Sequence, residues 1–188
     1  MEAILQFDSS ILLWIQNSVR GGFLTPVMKV ITHLGDKGIF WILVTLALLI
    51  LRKTRPLGVV CMVSMVIGLV ITNLIIKNWV ARIRPYEVIQ GLECIVGKEH
   101  DFSFPSGHTT NSLACAWVLF RKAPRKMGVP ALVLAILIAL SRLYVGIHYP
   151  TDVLAGAVIG IFSACVAMWL VPRCERRFPD LTEKVYKL

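Results

Sequence analysis

Charge is scarce in this 188-residue chain, where Asp, Glu, Lys and Arg make up 16% of the residues against about 25% in ordinary soluble domains. Acidic side chains are scarcer still, 11 against 20 basic ones. Cysteines arranged for redox or zinc chemistry are missing too. Cys61, Cys94, Cys115, Cys165 and Cys174 form no CxxC pair, and four of them lie in or beside apolar runs, where a thiol serves as a small hydrophobe. The first residues lack a basic segment leading to a short apolar core and a small-residue cleavage site, so no cleaved signal peptide is expected. What fills the chain instead is hydrophobicity, 56% of the residues. It is gathered in blocks rather than amphipathic stripes, which is the pattern of several transmembrane helices.

Residues 2–19 are the exception. Ile4, Leu5, Ile11, Leu12 and Ile15 recur at helical spacing with Asp8, Gln16 and Asn17 between them, which predicts an amphipathic helix lying at the bilayer interface over 1–21. Gly21-Gly22 breaks it. The stretch 23–34 is apolar but short of the ~20 residues a span needs, and it carries Lys29 and His33. It reads as a tilted first span or a half-buried helix. Five clear runs follow, at about 38–51, 57–76, 107–120, 129–147 and 152–171. The expected fold is therefore all-α, a single polytopic helical bundle over 1–188 with five clear spans and a short or tilted sixth at the N-terminus.

The basic residues are not spread evenly. Arg52, Lys53, Arg55, Arg121, Lys122, Arg125, Lys126 and the tail over 173–188 (Arg173, Arg176, Arg177, Lys184, Lys187) hold more than half of the 20. All fall on one face of the predicted bundle, which the positive-inside rule makes cytoplasmic. The formal charge of +9 is thereby accounted for by topology, and no nucleic-acid partner is expected. The loop over 78–106 and the turn at 148–151 then face outward. A connection that long is usually functional. Its apolar residues, Tyr86, Val88, Ile89, Leu92, Ile95 and Val96, suggest contact with a lipid. In the last run, Gly156-x-x-x-Gly160 beside Ala155 and Ala157 is a surface for close helix packing.

Three clusters lie on the predicted outer face. Lys77 and Arg84 are seven residues apart, two turns of a helix that Pro85 ends, so they share a face. Two fixed cations there suit an anion, although cations reaching out to an interface look the same. Arg82, about 140° around that helix, is expected to reach for the interface. Phe104-Pro105-Ser106-Gly107-His108 precedes an apolar run. Ser106 can cap that helix, Gly107 lets a ligand come close to the backbone, and the helix N-terminus favours phosphate. A capped helix with an interfacial histidine would read identically. Ser141-Arg142, His148 and Asp152 straddle the turn between the last two runs. Thr151 is a candidate N-cap and Asp152 a first-turn carboxylate, which can also accept from His148 and present its other nitrogen as a nucleophile. Charge at such a boundary is costly and so suggests function. Three clusters on one side strengthen that reading.

Lys-x6-Arg-Pro, Pro-Ser-Gly-His and Ser-Arg-x5-His-x3-Asp, in this order over 77–152 and without departure, resemble the three-part signature of the type 2 phosphatidic acid phosphatase family. The resemblance implies His148 as the nucleophile of a phosphohistidine intermediate, held by Asp152. It implies His108 as the general acid, and Lys77, Arg84, Ser106, Gly107 and Arg142 as ligands of the phosphoryl oxygens. It also implies a metal-independent reaction with no cofactor, and no carboxylate cluster of metal-binding type sits near these motifs. The expected partner is a phosphate-bearing lipid of the bilayer: undecaprenyl diphosphate first, with phosphatidic acid or phosphatidylglycerophosphate as alternatives. The expected location is a bacterial-type cytoplasmic membrane, with the site on the extracytoplasmic side. A lipid or anion transporter would need the cations but not the His148–Asp152 pair. Oligomeric state stays open.

Overall fold

A computed structural model describes residues 2–179. Among these the chain is all-helical, with no strand. Helix α1 (Glu2–Trp14) continues in a wider turn to Val19, and α2 (Leu24–Leu34) meets α3 (Ile39–Ile50) at a 45° bend. Helix α4 (Arg55–Leu69) runs into widened turns over Val70–Ile76, and the short helices α5 (Lys77–Val80) and α6 (Pro85–Val88) follow. An irregular loop then leads to α7 (Gly107–Lys122), α8 (Arg125–Tyr144) and α9 (Pro150–Arg177). The tail residues Lys184 and Lys187 lie outside the described residues.

Helix α7 is the hub. Leu113, Ala116, Val118 and Leu119 are buried with Trp41 and Leu48 of α3, Cys61 of α4, Ala135 and Ile138 of α8 and Ala164 of α9. Small residues let the helices come this close. A methyl group on Gly156 or Gly160 would stand 2.6 Å from the carbonyl oxygen of Ser106 or Thr110 respectively, so α9 packs directly on the α7 backbone. Polar side chains pair across the helix contacts. Trp41 Nε1 donates to Ser112 Oγ at 2.9 Å, and Ser64 Oγ donates to the Ala114 carbonyl at 2.8 Å. The outer surface, by contrast, exposes Ile50, Leu74, Trp79, Leu154, Val158 and Trp169. That much exposed hydrocarbon belongs against lipid rather than water.

Among the described residues three stretches are long and apolar enough to cross a bilayer, Arg55–Val88, Arg125–Tyr144 and Pro150–Arg177, or four if the bent α2–α3 pair is one span. The sequence runs suggested five and a tilted sixth. The stretch 23–34 and the run after it form one bent element. Helix α7, with 16 residues, is only about 24 Å long at 1.5 Å per residue.

Helix α1, expected to lie at the interface, packs one side against the bundle. Its Asp8 is fully buried, and Leu12 packs with Leu92 and Tyr149, while Ile4, Phe7 and Trp14 are exposed. The side that faces the protein thus carries both Asp8 and Leu12, and Ile4, Phe7 and Trp14 face outward. In the 89–106 loop Leu92, Ile95 and Val96 turn inward, while Phe102 is exposed. Ile95 and Val96 pack on Tyr144, Val145 and Ile147.

Candidate active site

The three clusters meet at one end of the bundle, around a cavity of about 600 Å3 lined by Lys77, Gly107, His108, Arg142 and His148. His148 occupies the turn between α8 and α9 and is 1% exposed. Its Nε2 lies 3.2 Å from Arg84 Nη1, and its Nδ1 lies 3.4 Å from Asp152 Oδ2. A guanidinium can only donate and a carboxylate only accept. These neighbours therefore require Nδ1 to carry the proton and Nε2 to carry the lone pair. Burial pulls the imidazole down to about 4; Asp152 opposes that, and Arg84 and Arg142 reinforce it. These surroundings favour the neutral ring at ordinary pH.

Asp152 is held from several directions. It accepts from the Tyr149 N–H at 2.9 Å, from Arg82 Nη1 at 2.7 Å and from the Ser103 hydroxyl. Tyr149, not Thr151, occupies the N-cap position of α9. Thr151 instead donates to Asp8 Oδ2 at 2.6 Å.

Arg82 is the clearest departure from helical expectation. The chain leaves the helix at Ala81, whose φ is +47°, so the 140° offset from Lys77 never arises. Arg82 turns inward, stacks on the Tyr149 ring at 3.7 Å and bridges Asp8 and Asp152 at 2.7 Å each. For the same reason Lys77 and Arg84 do not share a helical face. Arg84 lies in extended backbone, yet both cations converge on Asp101.

Two loop carboxylates occupy the cations. Glu99 joins Arg84, at 2.6 Å, to Arg142, and Asp101 joins Lys77 to Arg84. Burial raises both carboxyls, but the facing cations outweigh it and leave both below their ordinary range. Arg142 also donates to Thr32 Oγ1 at 2.7 Å, while its Nε is buried with no partner.

Ser106 caps α7 as its position suggested, accepting from the Thr109 N–H at 3.4 Å and from Thr109 Oγ1 at 3.0 Å. Neither Ser106 nor Arg84 is part of the cavity lining. His108, one turn in, places Nε2 3.0 Å from Asp36 Oδ1 at the α2–α3 bend. Sequence reasoning did not single out Asp36, Glu99, Asp101 or Ser103. Only the length of the 78–106 loop drew attention to the segment that carries three of the four.

Fold and site together define a helical, bilayer-compatible protein whose polar centre is a His–Asp pair beneath three cations. The chain belongs to the PAP2 superfamily, whose family model matches residues 58–176. It is 36% identical over 120 residues to an undecaprenyl-diphosphatase of Sulfolobus acidocaldarius, an alignment covering 64% of this chain and 58% of that one. The chain thus spans under two thirds of that relative's length. It is 32% identical over 157 residues to phosphatidylglycerophosphatase B of Bacillus subtilis, covering 76% of this chain and 73% of that one. The crystal structure of a transmembrane PAP2-type phosphatidylglycerolphosphate phosphatase from Bacillus subtilis superposes with a TM-score of 0.74 at 26% identity, over 92% of this chain and 88% of that one.

Proposed function

We propose that the protein is a metal-independent lipid phosphatase of a bacterial-type plasma membrane, acting through a phosphohistidine on His148. The observation that carries the reading is the forced tautomer of His148, with a neutral Nε2 lone pair beside the cations and Nδ1 turned to a fully buried carboxylate.

The phosphate group takes the place of Glu99 and Asp101 on Lys77, Arg84 and Arg142, and the unpartnered Arg142 Nε gains an acceptor. The Gly107 end of α7 contributes its dipole and free N–H groups. Nε2 of His148 then bonds to phosphorus as the bond from phosphorus to the leaving oxygen breaks. His108 gives that oxygen a proton. In the second half, water attacks the phosphohistidine and gives its proton to His108. Inorganic phosphate leaves, and both histidines return to their starting states. Charge builds on the equatorial oxygens, where fixed cations stabilise it without reorganising.

For the substrate, the relative named an undecaprenyl-diphosphatase favours undecaprenyl diphosphate. The likeness in fold to a phosphatidylglycerolphosphate phosphatase favours phosphatidylglycerophosphate as the second reading. The placement of basic residues supports an extracytoplasmic site.

The test is phosphate release by the purified protein from undecaprenyl diphosphate, phosphatidic acid and phosphatidylglycerophosphate, beside His148→Ala. Release from at least one by the wild type, and from none by the variant, is expected. No release from any, or lipid transport in liposomes that survives His148→Ala, overturns the proposal.

A further inference from the structure

The bend between α2 and α3 reaches the site from outside the three motifs. Asp36 stands in it, and its carboxylate divides between two histidines, Oδ1 lying 3.0 Å from His108 Nε2 and Oδ2 2.8 Å from His33 Nδ1. The backbone is shaped to bring it there. A methyl group on Gly35 would stand 2.6 Å from the His108 ring and 2.8 Å from Ile138, so only a bare α-carbon lets the bend press on α7 and α8. Lys37 and Gly38 then turn the chain with φ of +51° and +69°. Glycine adopts that region freely, whereas a lysine seldom does. One turn further along α7, Asn111 Nδ2 would meet a methyl group on Gly38 at 3.1 Å. On the α2 side Thr32, 1% exposed, accepts from Arg142 Nη1 at 2.7 Å. The bend is thus pinned both to the proposed acid and to the phosphate cradle.

We propose that Asp36 is a positioning residue for His108, fixing which ring nitrogen carries the transferable proton. This role rests on the lipid-phosphatase reading and adds to it a residue that the motifs do not contain. A carboxylate only accepts, so Nε2 keeps its hydrogen throughout. Among the described residues Nδ1 has no hydrogen-bond partner, while the ring lines the large cavity together with His148. Proton traffic therefore runs through Nδ1. In the first half of the reaction Nδ1–H protonates the oxygen that leaves phosphorus, and the ring becomes the neutral Nε2–H tautomer. In the second half water bonds to phosphorus, loses its proton to Nδ1 and so restores the imidazolium. Asp36 gives and takes no proton itself. Its negative charge stabilises the doubly protonated ring. His33 occupies its second oxygen, which leaves Oδ1 for His108.

The role matters in proportion to how badly the departing oxygen needs a proton. A lipid monoester such as phosphatidic acid must release an alkoxide, a strong base. A polyprenyl diphosphate releases a phosphate oxygen and p-nitrophenyl phosphate a phenolate, and both carry negative charge far better. Asp36 therefore equips the site for monoesters, and its loss should shift the protein toward diphosphates.

Full-length Asp36→Asn, Asp36→Glu, His108→Ala and the Asp36→Asn/His108→Ala double variant are each assayed on phosphatidic acid, polyprenyl diphosphate and p-nitrophenyl phosphate, with Tm measured alongside. Asp36→Asn should lower kcat on phosphatidic acid at least about tenfold more than on p-nitrophenyl phosphate, with the diphosphate tracking the latter. Asp36→Glu should recover part of that loss. His108→Ala should show the same split, and adding Asp36→Asn to it should cost nothing further on phosphatidic acid, because the two residues act as one unit. A merely structural role would lower all three substrates alike and would add to His108→Ala. Equal losses on all substrates, or additive losses in the double variant, overturn the proposal. A split in His108→Ala with none in Asp36→Asn removes the role from Asp36. No split in either removes the acid role from His108, and the role of Asp36 falls with it. Wild type that cleaves the diphosphate but no alkyl monoester also overturns it, since the acid then has no alkoxide to protonate. Wild type inactive on every substrate contradicts the phosphatase reading instead.

Discussion

His148 stands between an arginine and an aspartate that ask opposite things of it. Arg84 and burial favour the neutral ring, Asp152 the charged one, and the balance falls at about 4. A nucleophile must be neutral, so activity is lost as pH falls through that value, not through the ordinary histidine range near 6.5. We predict that kcat/KM holds between pH 7 and 5 on the side controlled by His148 and declines only below that. A decline centred near 6.5 would show that the ring is not held neutral. At this scale the motifs pointed to the side chains proposed to carry the chemistry, because their spacing is a property of the chain. Their supports were hidden. Asp8, Asp36, Glu99 and Asp101 reach the site through tertiary contacts, and no local pattern distinguishes a carboxylate that will pair with a distant arginine.

Among the helices, α7 depends most on its neighbours. Its first turn carries Ser106, Gly107 and His108, and α9 presses on the same stretch at Gly156 and Gly160. Gly156→Leu must push the Ser106 carbonyl aside. Overpacking of this kind costs on the order of 1–3 kcal/mol. A lower Tm together with loss of phosphate release is expected in a thermal-shift and activity assay, whereas Leu154→Ala on the exposed side of α9 should leave both nearly unchanged. The small-residue face was readable because Gly-x-x-x-Gly is a local pattern. The end of α5 was not. Lys77 and Arg84 read as one helical face, but the left-handed Ala81 redirects the chain. An alanine gives no sign of such a turn, and only the contacts of Arg82 with Asp8 and Asp152 show why it is made.

For the molecule as a whole, the apolar runs conveyed the all-helical architecture, but not how many elements span the bilayer. Run length is ambiguous where two short helices meet at a bend, and α7, at 16 residues, is short for a span although the basic junctions share a face only if it crosses. Sidedness rests on the basic junctions and is directly testable. In a background with the native cysteines replaced, Gly91→Cys should react with a membrane-impermeant thiol reagent added outside intact cells. Ala123→Cys should react only after the cells are opened. The reverse pattern would invert the topology.

The most direct test of the central claim is to capture the intermediate. Wild-type protein is mixed with its lipid phosphate, quenched in alkali within the first turnovers and mapped by mass spectrometry. The account predicts an acid-labile phosphoryl group on His148, absent from His148→Ala. Phosphoryl on any other residue, or full turnover by His148→Ala, would contradict it.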